Sequence, residues 1–197
     1  MGELHVNMNI TLDGVIQANG GPTVQDAGFP YPGWERPYGD EESGRLLEAD
    51  VRASDALLLG RTTYDIFRPY WPEQSDAIGE AFNRVPKYVA SRGTPELSWE
   101  ASTQVSDAAA EVPELRERHR QVHTWGSADL LQTLFREGLV DQVNLWVFPV
   151  VLGTGKRLFP EGATAARFEL AEPPRAFPAG ALLMRYRRLD GPPETVD

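Results

Sequence analysis

The chain has 197 residues, no cysteine, three histidines and a hydrophobic fraction of 41%. That length fits one domain with a full core, and the lack of cysteine rules out disulfides and thiolate metal sites. The formal net charge of -10 argues against nucleic acid as a partner, because affinity there comes from basic residues that neutralise phosphates.

Met1-Gly2-Glu3-Leu4-His5 has neither the basic nor the apolar region of a signal peptide. The longest apolar run, Val143 to Leu152, is broken by Asn144 and Pro149 and falls short of the ~18 residues of a membrane span. The expectation is a cytoplasmic protein with no membrane partner.

Leu4 to Leu12 alternates apolar and polar residues, a strand pattern that Asp13-Gly14 ends. Gln17 to Gly39 is rich in Gly, Pro and aromatics and has no period. Two readings stay open for it. It is a lid over a binding site, with Tyr31, Trp34 and Tyr38 as walls, or a surface loop with its aromatics tucked onto the core. Asp40 to Ser54 reads as a helix with one apolar face, and Ala56 to Leu59 as a short buried strand. Thr62 to Tyr70 starts the next helix, which Trp71-Pro72 stops.

Ser75-Asp76 caps a further helix to Phe82 or Asn83, and Pro86 to Ala90 is a strand. Ser106-Asp107 caps a helix toward Arg120, with Pro113 predicting a kink or a late start. Val122 to Trp125 is a strand, and Ala128 to Glu137 a helix closed by Gly138. Val140 to Leu152 is β-rich. Its alternating Trp146 and Phe148 suit a central strand or a subunit contact. Phe168 to Ala171 and Ala181 to Tyr186 are short β segments, and 191–197 reads as a frayed tail after one domain over 1–190. Strands alternating with helices predict a mostly parallel α/β sheet with an antiparallel C-terminal edge.

Two strand-to-helix corners stand out. Leu57-Leu58-Leu59-Gly60-Arg61-Thr62-Thr63-Tyr64 runs from a strand through glycine into a helix start that offers N–H groups, hydroxyls and a guanidinium. Trp125-Gly126-Ser127-Ala128-Asp129 repeats the arrangement. A helix N-terminus carries unpaired donors and partial positive charge, so phosphate suits it. Two such corners in one small chain point to a nucleotide cofactor. His5, His119 and His123 show no metal-ligand spacing, so no metal is expected. Ser127 lacks the Gly-x-Ser-x-Gly setting of a hydrolase nucleophile.

Four motifs resemble the dihydrofolate reductase superfamily, in the branch similar to the C-terminal reductase domain of the bifunctional riboflavin biosynthesis deaminase/reductase. They are Thr11-Leu12-Asp13-Gly14, the 57–64 corner, Asn83 to Arg92, and Gly126 to Leu131 followed by Leu139-Val140-Asp141 and Pro149 to Phe159. The resemblance implies that superfamily's three-layer α/β fold, NADPH as cofactor and a homodimer. It implies that Gly60, Arg61, Thr62 and Thr63 contact the pyrophosphate and adenosine side. By it, Ser91 and Arg92 hold the 2′-phosphate or adenosine, and Gly126, Ser127, Ala128 and Asp129 wrap the pyrophosphate.

The implied activity is hydride transfer to a C=N or C=O of a small heterocyclic substrate, as in 5-amino-6-(5-phosphoribosylamino)uracil reductases. Asp13 is the candidate catalytic residue, its alternative being a turn residue that caps its own backbone. Gly153 and Thr154, with Gly155, form a loop over substrate or a plain hairpin bend. Two departures bear on the substrate. Val15 and Ile16 stand where the riboflavin enzymes carry a basic residue, and none of Glu41, Glu42 and Glu48 aligns with the pterin-binding carboxylate of the folate enzymes. A nucleotide- or flavin-binding module without turnover is the alternative.

Overall fold

Apolar residues at every second position of the first strand give it one greasy face. In the computed structural model, which describes residues 1–195, that strand is β1 (Glu3–Thr11). The chain continues through α1 (Glu41–Ala53), β2 (Ala56–Gly60), α2 (Arg61–Phe67), α3 (Ala77–Arg84), β3 (Lys87–Ala90) and β4 (Ser102–Val105). It ends with α4 (Ala108–Arg118), β5 (Gln121–Thr124), α5 (Ala128–Arg136), β6 (Gln142–Phe148), β7 (Arg167–Leu170), β8 (Arg175–Ala176) and β9 (Leu182–Leu189).

The nine strands of the described residues join one sheet in the order β4-β3-β2-β5-β1-β6-β9-β7, with β8 beside β9. The six strands from β4 to β6 are parallel. Strands β9, β7 and β8 add the antiparallel edge. Parallel strands need helices on both faces, which is why the central strand β2 is apolar on both sides. Leu57, Leu58 and Leu59 are all sealed from solvent, and each contributes roughly 1.5–3 kcal/mol by burial.

The two faces divide the helices. Leu57 and Leu59 pack with Val51 of α1, Tyr64 of α2 and Phe82 of α3. Ala56, Leu58 and the β1 residues Leu4, Val6, Met8 and Ile10 pack with α4 and α5 through Val112, Leu115, Leu131 and Leu134. A third cluster joins Trp34, Trp146, Phe148, Phe177 and Leu183, with Leu46 and Leu47 of α1 against it.

The structure corrects several boundaries. Helix α2 ends at Phe67 rather than Tyr70: Arg68 keeps helical dihedrals as the C-cap, but Pro69 has no N–H with which to continue the ladder. The β-rich run from Val140 shrinks to Gln142–Phe148, since Pro149 has no N–H for the ladder. Helix α4 begins at Ala108, with no late start, and carries Pro113 inside. Strands β4 and β8 are unpredicted: both are short and mostly exposed or half-exposed, so they lack a long apolar alternation. In the expected tail, Val196 and Asp197 lie outside the described residues, and Glu194 pairs with Arg167. Among the described residues no helix is long and apolar enough to cross a membrane.

Candidate active site

Strands β2 and β5 are parallel neighbours, so the corners at their C-terminal ends lie side by side. The Gly60 N–H donates to the Gly126 carbonyl at 2.9 Å. A β-carbon on Gly60 would stand 2.0 Å from Ser127 Oγ, and one on Gly126 would stand 2.9 Å from Thr63 Oγ1. Gly126 also has φ +118°, a conformation that excludes most side chains. Each corner therefore needs its glycine because the other corner occupies the space. The helices then part: α2 packs on one face of the sheet and α5 on the other. Ligands of open α/β sheets bind in the crevice made by such a parting, at the carboxyl ends of the strands.

The helix starts differ in a telling way. Asp40, Asp76 and Asp107 cap α1, α3 and α4 by accepting from first-turn N–H groups. Among the described residues neither α2 nor α5 has a side-chain cap. Their first-turn N–H groups stay available to an external acceptor. Arg61 spends part of its guanidinium on Asp65, one helical turn on. Thr62 is exposed, Thr63 is buried and Ala128 is half-buried. Asp129 is exposed, and its negative charge opposes an anion, so what this position can offer phosphate is its backbone N–H.

Ser91 and Arg92 follow β3, whose Ala90 is level with Gly60 on β2. That register places the 91–93 turn beside the first corner. Gln104 of β4 holds the turn: its Nε2 donates to the Ser91 carbonyl at 2.8 Å and to the Gly93 carbonyl at 2.7 Å. Arg92 is exposed. Gln104 escaped the sequence reading because the strand that carries it did.

Asp13 follows β1, on the far side of β5. Its carboxylate accepts from the Thr11 hydroxyl at 2.6 Å and from the N–H groups of Leu152 and Gly153 at 3.2 and 2.8 Å. Arg157 stands 3.7 Å away. The Thr11 hydroxyl first, then these N–H groups, hold the carboxyl below its ordinary range. Asp13 thus fastens the 149–158 loop, and its proton is hard to keep. Gly153 and Thr154 are exposed on that loop, which is also tied down by Ile16 N–H to the Lys156 carbonyl and Leu158 N–H to the Gly14 carbonyl.

Trp34 is 8% exposed. Its ring meets Phe148 edge-on at 5.5 Å, and its indole N–H donates to the Gln17 carbonyl. Tyr38 leans on Phe148 as well, while Tyr31 stays exposed. Trp34 and Tyr38 are thus tucked onto the core. The sequence reading passed over the residue after Trp34. Glu35 accepts side-chain N–H groups from Asn9 on β1 and Asn19. Burial pushes its carboxyl up. A lone glutamate inside an aromatic, Gly/Pro-rich stretch was the available signal. Glu41 and Glu48 form surface pairs with Arg45 and Arg52, and Glu42 is exposed.

Two surface cavities lie elsewhere. One, of about 420 Å³, is lined by Val143, Leu145, Phe159, Phe168 and Tyr186 among others. The second, of about 630 Å³, is lined by residues including Leu46, Glu172, Arg175 and Arg185. Neither includes a corner residue, and neither gathers unpaired helix donors.

Comparison with known proteins settles the family. The profile of the RibD C-terminal domain matches residues 3–176. The chain belongs to the RibD C-terminal domain family. Within reach of this RibD-type chain is "Uncharacterized protein YyaP" of Bacillus subtilis (strain 168), 29% identical over 190 residues and covering 92% of each chain. Among solved structures, a putative riboflavin biosynthesis protein from Shewanella sp. PV-4 superposes with a TM-score of 0.70 at 19% identity, over 95% of this chain and 99% of that one. RibD of Acinetobacter baumannii superposes at 0.63 with 16% identity, over 96% of this chain and 58% of that longer one. At such identities the structures establish the fold alone, which is dihydrofolate-reductase-like.

Proposed function

We propose that this RibD-type chain is an NADPH-dependent reductase that transfers hydride to a C=N or C=O of a small heterocyclic substrate, of pteridine or ribosylaminopyrimidine type. What carries the reading is the contact between two uncapped helix starts at the parting of α2 and α5. The donor set suits a pyrophosphate: backbone N–H groups from both corners, the hydroxyls of Thr62 and Ser127, and the remaining N–H groups of Arg61. Gly60 and Gly126 let backbone approach the phosphates closely. Ser91 and Arg92, one strand over, suit an adenosine 2′-phosphate, since a guanidinium fork binds phosphate in bidentate fashion.

When bound, the nicotinamide supplies hydride. The chain's own residues bind and orient. Asp13 fixes the loop that carries Gly153 and Thr154 at the substrate end, and Trp34 backs the same end from within the core. The homodimer implied by the resemblance remains part of the reading.

The test is titration of the purified protein with NADPH, followed by nicotinamide oxidation across pterins, pyrimidines, quinones and carbonyls. Binding with oxidation of a heterocycle supports the reductase. Binding without turnover across the panel points to a nucleotide-binding module, and a yellow protein to a flavin. No binding removes the reading.

A further inference from the structure

The β1 strand presents two chemically opposed faces. Leu4, Val6, Met8 and Ile10 enter the core under α4 and α5, which sends Asn9 to the other side. Beyond the Val6–Thr124 pair, where the β1–β5 pairing ends, Asn9 lies three residues further toward the end that carries the Gly126–Ser127 corner. Glu35 meets it there. Its Oε2 accepts from Asn9 Nδ2 and, at 3.1 Å, from Asn19 Nδ2. Its Oε1 has no hydrogen-bond partner among the described residues, and it is not one of the sealed, orphaned polar atoms.

The backbone on either side is pinned. Trp34 is buried with its indole N–H on the Gln17 carbonyl, and Arg36 donates to the Gly20 carbonyl at 2.7 Å. A carboxyl held this firmly, with one oxygen saturated by two carboxamides, has a single orientation and a single open atom.

We propose that Glu35 is the substrate-facing acid of this site, presenting Oε1–H to the ring nitrogen or carbonyl oxygen of a bound heterocycle. The proposal rests on the reductase reading. Two N–H donors on Oε2 make it the carbonyl-type oxygen of the neutral acid, so the proton resides on Oε1. In the reduction, the Oε1–H bond breaks and an N–H or O–H bond forms on the substrate atom beside the carbon that takes hydride from the reduced nicotinamide. The carboxylate left behind regains its proton from solvent. Burial raises the carboxyl, while Asn19 and Asn9 pull the other way. The charged group acting on it is Arg36, whose guanidinium is turned to the Gly20 carbonyl. Asn9 from β1, and Trp34 and Tyr38 beside it on Phe148, bring no charge. A raised carboxyl favours the protonated form that general acid catalysis needs.

The experiment follows the side-chain carboxyl carbons of 13C-glutamate-labelled protein by NMR against pH, in the wild type, Glu35→Gln and Asn19→Ala. The proposal expects a resonance, absent from Glu35→Gln, that titrates above the ordinary glutamate range and shifts on adding pterin or 5,6-diaminouracil. In Asn19→Ala the midpoint moves higher still, because a donor to the ionised form is gone. With NADPH and pterin, Glu35→Gln should lower kcat about 100-fold, with KM changed less and the alkaline limb of the pH profile lost. Ordinary titration, or no response to either heterocycle, overturns the proposal and leaves the reductase reading intact. If NADPH neither binds nor is oxidised, the reductase reading falls and the proton-donor role of Glu35 falls with it, whatever the response of the carboxyl to the two heterocycles.

Discussion

Gly60 and Ser127 share a space that admits only one side chain. The Gly60 N–H reaches across to the carbonyl of Gly126, and a β-carbon on Gly60 would fall 2.0 Å from Ser127 Oγ and 2.7 Å from its backbone N. The first atom is the end of a side chain and can turn away. The second is backbone and cannot.

Gly60→Ala should therefore push the two corners apart. Forcing a methyl into a filled space costs on the order of 1–3 kcal/mol, to be read as a lower urea midpoint with an unchanged m-value. NADPH affinity should fall along with stability, because the corners no longer converge. A variant with native stability and native affinity would show that the corners do not act together.

Arg92 and Arg61 should separate by cofactor. Arg61 already shares its charge with Asp65, whereas Arg92 is exposed beside a turn that Gln104 holds in place. Loss of a charge-assisted hydrogen bond is worth about 1.5–3 kcal/mol, or roughly ten- to a hundredfold in affinity. Arg92→Ala is expected to weaken NADPH by that factor and NADH far less, whereas Arg61→Ala weakens both alike and by a smaller factor. Fluorescence titration with each nucleotide checks this, and equal losses for the two nucleotides in Arg92→Ala would remove it from the 2′-phosphate.

The corners were legible because their signal is local: an apolar run, a glycine, then hydroxyls and a cation. The alternation of strands and helices gave the layers for the same reason. What stayed hidden depends on pairings distant in sequence. Gln104 acts through a four-residue strand with no clear apolar alternation. Asp13 is a turn residue in sequence, and only the fold brings the N–H groups of Leu152 and Gly153 to it. Glu35 became visible when β1 set Asn9 against it. No local pattern separates a buried aromatic from a pocket wall, which is why Trp34 allowed two readings.

Asp13→Asn tests the loop fastening. The N–H groups of Leu152 and Gly153 sit on different oxygens of the carboxylate, so replacing either oxygen with an NH2 leaves one of them facing a donor. Faster amide exchange across 152–158 is expected, with a stability loss of about 1–2 kcal/mol. The native carboxyl titrates below its ordinary range. Its contribution is therefore complete above the unfolded aspartate value and fades as pH falls through the folded one. Unchanged exchange in the variant would show that the loop holds itself.

His123 and Lys87 bracket the stability profile from opposite ends. His123 is 2% exposed and stacks on His5 at 5.0 Å, and neither ring nitrogen finds a partner among the described residues. Burial first, then the charge of His5, lowers its pKa from 6.5 to about 3. Between those values the unfolded chain binds a proton that the folded chain refuses, so stability rises with pH across that window and is lost as pH falls from 6.5 toward 3. Lys87 is fully buried, donates to the carbonyls of Asn83 and Glu100, and lies 4.5 Å from the Trp99 ring centroid. Burial lowers its pKa from 10.5 to about 8. Again the unfolded state holds the extra proton, so stability rises with pH from about 8 to 10.5. Thermal melts against pH should show the acid slope flattened in His123→Phe and the alkaline rise removed in Lys87→Met. Slopes that survive both substitutions would assign the titration to other groups.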